Sequence, residues 1–246
     1  FIEKLTYKAA NHVWPNSGSL YNYIVEHKFT TVKKLKIIGK GSTNGINTNR
    51  FNKNVLDEKA IKDVKASINF SAEAVYLLCI GRLVADKGIV ELVNVFSLLQ
   101  KKYTNLKLIL AGDFENELDP LPAAILQQIQ TNPNIIHIKW TQQVEYYMHI
   151  ASYFVFPSHR EGFPNVLLQA GAMQLPIICS RIAGNVDVVT DQQTGLIFEK
   201  ANEQQMEMQI EYAINNPQQM QQFRAAHAQH QAHQAQQQAQ QQDQAA

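Results

Sequence analysis

The stretch Tyr153 to Ala172 reads YFVFPSHREGFPNVLLQAGA. An apolar run comes first, then a short polar loop with one acid, then Gly, an aromatic, Pro and a helical pattern. A buried strand that ends in a loop and hands over to a helix start is where α/β sheets bind anions and sugars. This segment therefore sets the expectation for both fold and function.

Outward from it, short apolar runs alternate with stretches of helical period. VYLLCIG (75–81) reads as a buried strand, and GIVELVNVFSLLQKKY (88–103) as an amphipathic helix. LKLILAGD (106–113) is a second strand, 120–131 a helix with Pro120 near its first turn, and IIHIK (135–139) a third strand. A short helix over 144–151 precedes the quoted strand. After the helix at 165–173, PIICS (176–180) and TGLIFE (194–199) are two more strands, and 203–215 is a closing helix with Pro217 just beyond it. Alternating elements with fully apolar strands mean a parallel sheet with helices on both faces, and right-handed crossovers make it doubly wound and Rossmann-like. Ligands of such sheets bind at the carboxyl ends of the strands.

The first part of the chain reads differently. Residues 1–10 and 19–27 look like helices, HVWPNS (12–17) like a short strand or turn, and LKIIG (35–39) like one strand. Gly39, Gly41 and Gly45 miss the dinucleotide spacing by one residue and lack the P-loop pattern, so they read as a hinge. The tail from Phe223 is rich in Gln, Ala and His, with no apolar stripe. His227, His230 and His233 recur there without the Cys or carboxylate that would complete a metal site. The expected division is 1–45, 46–222 and 223–246.

With 246 residues the chain can bury an ample core. Hydrophobic residues make 45% of it, charged residues 17%, and the net charge is +1, so nothing points to nucleic acid or an anionic membrane. No run reaches the roughly 18 apolar residues of a spanning helix, and no signal segment opens the chain. It begins without Met and reads as the middle of something longer. Cys79 and Cys179 lie in apolar runs and read as a reduced, buried pair; a disulfide stays open if their strands are neighbours.

GRLVADKG (81–88) and PSHREGFPNVLLQAGAMQLPII (157–178), followed by AGNVDVV and TGLIF, resemble the donor-binding half of retaining GT-B glycosyltransferases of family 4, the group 1 glycosyltransferases. The match runs from about Lys36 to Asn215. It implies a GT-B C-terminal domain preceded by a remnant of the N-terminal acceptor domain, with KGSTNGIN as the crossover. It also implies transfer of a hexose from a nucleotide diphosphate sugar, UDP- or GDP-linked, to a saccharide or lipid-linked hydroxyl acceptor. The implied setting is cytoplasmic surface polysaccharide or glycolipid synthesis, at the inner membrane face, with any peripheral membrane contact made through the missing part. No metal and no cofactor are expected, because such enzymes work without an Asp-x-Asp motif.

Arg82 and Lys87 flank a turn after the first strand. From spacing alone, two solvated surface charges are the better account; the resemblance gives them the donor diphosphate, whose departure fixed cations assist. Glu161 matches the first acid of the family's paired-glutamate motif and is expected to hold hexose hydroxyls, against a plain N-cap carboxylate. Gly162, Phe163 and Asn165 should present backbone N–H groups at the helix start, with Pro164 excepted. The second acid of the motif is replaced by Gln169, a neutral group that can still hydrogen-bond a ribose. Trp140 either stacks on the base or is a half-buried core aromatic. Gly184 and Asn185 fall where the family lines the sugar pocket. Gln169 and the short first part also leave room for a binding module without catalysis. A sugar-nucleotide epimerase is a further alternative.

Overall fold

The computed structural model describes residues 2–39, 41, 45–115, 117 and 119–226. His227, His230 and His233, and part of the Gly-rich stretch, lie outside them. The elements in order are α1 (Ile2–Ala9), α2 (Gly18–Glu26), α3 (Glu58–Ser67), β1 (Val75–Ile80), α4 (Ile89–Lys102), β2 (Leu106–Ala111), α5 (Ala123–Thr131) and β3 (Ile135–Ile138). There follow α6 (Val144–Ile150), β4 (Tyr153–Phe156), α7 (Asn165–Ala172), β5 (Ile177–Arg181), α8 (Asn185–Val188), β6 (Gly195–Glu199) and α9 (Glu203–Asn215).

All six strands are parallel and lie in the order β3-β2-β1-β4-β5-β6. This is the doubly wound arrangement expected from the alternating pattern. The chain builds outward from β1 to β3, then crosses back to place β4 on the other side of β1, so the switch point lies between β1 and β4.

Successive strand residues point to opposite faces, and β1 shows why its sequence had to be apolar throughout. Leu77 and Cys79 pack with Leu92, Phe96 and Leu99 of α4, Ile125 of α5 and Ile210 of α9. Tyr76 and Leu78 pack on the other side with Val64 of α3, Met148 of α6 and Leu167 of α7. Cys79 and Cys179 are free and buried. Their strands are separated by β4, which closes the disulfide alternative.

Three differences from the expected elements have physical causes. LKIIG is not a strand of a sheet: Leu35 makes one isolated bridge to Val13. Trp14 and Ile38 are exposed, so no covered face rewards a longer ladder. Conversely, α3 was not anticipated. Asp57 caps it by accepting from Ala60 N at 2.9 Å, and its buried Val64 with the adjoining Ile68 seals the sheet. Finally, the segment read as a low-complexity tail begins inside the core. Helical turns resume over 217–226, Met220 and Phe223 join the α4–α9 face, and the Arg224 guanidinium donates to Ser152 O at 3.2 Å. Pro217 opens that helix, as its fixed φ allows.

Candidate functional site

The loops after β1 and β4 meet at the switch point. After β1 the chain makes a short 3-10 turn over Ala85–Lys87 and enters α4 through Gly88, whose φ of 70° is left-handed. A Cβ at Gly88 would lie 2.2 Å from Pro157 O, so only glycine lets this turn press against the end of β4. The two loops are then stitched together. His159 N donates to Asp86 O at 2.9 Å, and Lys87 Nζ donates to Glu161 Oε1 at 2.5 Å. Both side chains are largely shielded, at 16% and 17% exposure, so the pair is screened less than a surface one.

Behind Glu161 lies a polar network that the sequence did not disclose. The Ser158 hydroxyl donates to Glu161 Oε1 at 3.0 Å, and the Ser180 hydroxyl donates to Ser158 O. Asn185 Nδ2 donates to Ser180 O at 3.0 Å. Ser158, Ser180 and Asn185 are fully buried. Small polar residues at or just past the carboxyl ends of two adjacent apolar strands, β4 and β5, were the available signal. Buried polar side chains are kept where they are hydrogen-bonded, and here they orient one carboxylate. Gly184 backs onto Gly162, and Asp187 accepts from Gly184 N and from Ser19 N, at 3.3 and 3.2 Å. The start of α2 is thereby fastened to the loop after β5.

The remaining candidates fall as follows. Arg82 does not join Lys87 and Glu161. Its guanidinium, more than half exposed, donates to Glu115 Oε2 at 2.7 Å. Arg82 walls a groove of about 570 Å³ with Asp86, Glu91, Glu115 and Arg160, whereas Glu161 walls a neighbouring one of about 340 Å³ with Arg160, Arg181 and Lys200. Lys87 walls neither groove. In the larger groove His159 Nε2 lies 2.9 Å from Glu91 Oε1 yet is not aligned on it as a hydrogen bond.

Pro164 is buried, Gly162 exposed, and Phe163, Asn165 and Gln169 half-buried along the start and second turn of α7. No side chain caps α7. Trp140 is 67% exposed at the end of β3, two strands from β1, so the core-aromatic alternative fails. Burial pushes the Cys79 thiol up to about 12, against a smaller opposing pull from Lys87, and pushes Cys179 up as well. Among the described residues no group of His, Cys, Asp or Glu could hold a metal, and no helix is long and apolar enough to cross a membrane.

The family model for glycosyl transferases group 1 matches residues 60–230. The chain belongs to the group 1 glycosyl transferases. It is 34% identical over 219 residues to the capsular polysaccharide biosynthesis glycosyltransferase CapM of Staphylococcus aureus, covering 87% of this chain and 55% of that protein. It is 26% identical over 207 residues to a diphospho-undecaprenol 4-alpha-N-acetylgalactosaminyltransferase of Campylobacter jejuni, covering 84% and 51%. The chain thus spans about half the length of these relatives. The Anabaena HepE structure in complex with UDP superposes with a TM-score of 0.77 at 17% identity, over 92% of this chain and 60% of that one. The C-terminal domain of a group 1 glycosyl transferase from Francisella tularensis, LpcC, gives 0.62 at 19% identity, over 74% and 94%. At these identities the likeness shows the fold, which is that of GT-B glycosyltransferases.

Proposed function

We propose that this chain carries the donor site of a retaining hexosyltransferase of surface polysaccharide or glycolipid synthesis. On this reading 46–222, extended to take in Phe223, is the donor-binding unit, and 1–45 belongs to the unit facing it. One observation carries the reading: a shielded ammonium and a carboxylate in direct contact at the switch point of a doubly wound sheet. A nucleoside diphosphate sugar has an anionic half and a hydroxyl-rich half joined at the anomeric carbon. A cation touching a hydroxyl acceptor suits that junction.

Lys87 then neutralises charge gathering on the departing diphosphate, which takes the electron pair of the breaking C1–O bond. Glu161, steadied by Ser158, accepts from sugar hydroxyls and sets the position of the anomeric carbon. The acceptor oxygen forms the new bond on the face the diphosphate leaves, and its proton passes to the leaving phosphate oxygen. Gln169 contacts the ribose without charge. One relative is named for capsular polysaccharide biosynthesis and another as a diphospho-undecaprenol 4-alpha-N-acetylgalactosaminyltransferase, and the HepE structures hold UDP or UDP-glucose, which supports a nucleotide sugar donor and a saccharide acceptor.

A thermal-shift panel of UDP, GDP, ADP and their sugars tests this, because a ligand of the native state raises Tm by mass action. One base should stabilise the chain in its diphosphate and sugar forms. No shift with any of them would refute the proposal. Gln169 in place of an acid favours a second reading, donor binding without transfer. Donor that binds but is never consumed, with or without acceptor, would support it.

A further inference from the structure

We propose that Glu115 gates the diphosphate cation Arg82: its carboxylate holds the guanidinium while the site is empty and competes with the donor for it. This rests on the donor-site reading above, extended so that Arg82, on the same loop after β1 as Lys87, also meets the diphosphate. The pairing is built by the backbone. Leu83 N donates to Asp113 O at 2.8 Å, and Leu83 and Phe114 form a parallel bridge beyond the ends of β1 and β2. Such closeness requires Gly112, where an added Cβ would lie 1.8 Å from Gly81 O and φ is 150°. The two loops are therefore fixed side by side, and Arg82 and Glu115 project from them at 2.7 Å.

The other acids of the groove face other groups: Glu91 Oε1 lies 2.9 Å from His159 Nε2. Asp86 lies 3.3 Å from Arg160, and Asp119 accepts from Asp86 N at 2.7 Å. Glu115 is the acid left on Arg82. Exposed pairs of this kind hold weakly, and both side chains have room to swing, at 56% and 33% exposure. An incoming diphosphate carries more charge than one carboxylate and offers oxygens matched to the guanidinium fork. It takes Arg82, and Glu115 reclaims the cation when the nucleotide leaves. The carboxylate lowers affinity for the diphosphate and speeds its release.

The test is calorimetric titration of UDP, GDP and ADP, with their nucleosides as controls, into wild type, Glu115→Gln, Arg82→Ala and the double variant. Glu115→Gln should tighten the binding diphosphate about three- to tenfold and leave its nucleoside unchanged. The gain should shrink in high salt and fall below about twofold without Arg82. A merely structural role would give neither the phosphate dependence nor the coupling to Arg82. Unchanged or weaker diphosphate binding in Glu115→Gln overturns the gate while leaving the donor site standing. If no nucleoside diphosphate, ADP included, binds wild type, the donor-site reading falls and the gate with it.

Discussion

The residue that decides most is Glu161, and its surroundings explain why one carboxylate can be aimed. It receives Lys87 from the loop after β1 and Ser158 from its own loop. Ser158→Ala removes one hydrogen bond while keeping the ion pair. It should weaken discrimination between a nucleotide sugar and its bare diphosphate severalfold, measured as the ratio of their Kd values, and should cost about 1 kcal/mol of stability. Loss of stability with an unchanged ratio would reduce Ser158 to a structural part. Gln169→Glu should tighten nucleotide binding if residue 169 meets the ribose; unchanged affinity in calorimetry would remove that role. The two thiols give a check independent of function. Raised by burial, neither should react with a maleimide near pH 8 in the native state, and both should react once the chain is denatured. At this scale the sequence disclosed the charged and acidic candidates, because their types stand out in loops. Arg82's partner was not readable: Glu115 is one of several acids in a polar stretch, and only the pairing of two loops selects it.

At the scale of elements, strands and their following helices were legible because parallel strands buried on both faces must be apolar. The start of α3 was written less loudly. Asp57 is a sound cap, but the apolar stripe of Ile61, Val64 and Ile68 is diluted by lysines. The LKIIG run erred the other way, since apolar residues make a strand only when a neighbour and a covered face exist. Two elements carry predictions. Gly88→Ala would place a Cβ against Pro157 O in a left-handed turn, so it should destabilise by about 2 kcal/mol or more in urea unfolding. It should also weaken diphosphate binding in whatever fraction stays folded, because the turn carries Lys87. Asp187 binds the start of α2 to the loop of Gly184. Asp187→Asn should cost about 1 kcal/mol and raise amide exchange at both Ser19 and Gly184; exchange confined to one side would show that the two are not coupled through it.

For the whole molecule, the strand order matters more than any single motif. Crossing from β3 back to β4 opens the sheet at one place, and the glycine-allowed turn, the Lys87–Glu161 pair and the buried serine network all gather there. Family membership fixes the chemistry to be tried at that place. The most direct measurement is the affinity of the stabilising nucleoside diphosphate and of its sugar for wild type, Lys87→Ala and Glu161→Gln. Lys87→Ala should lose about tenfold or more for both ligands. Glu161→Gln should bind the bare diphosphate as well as wild type or better, having shed a negative charge, while losing its preference for the sugar form. Wild-type affinities in both variants would contradict the account.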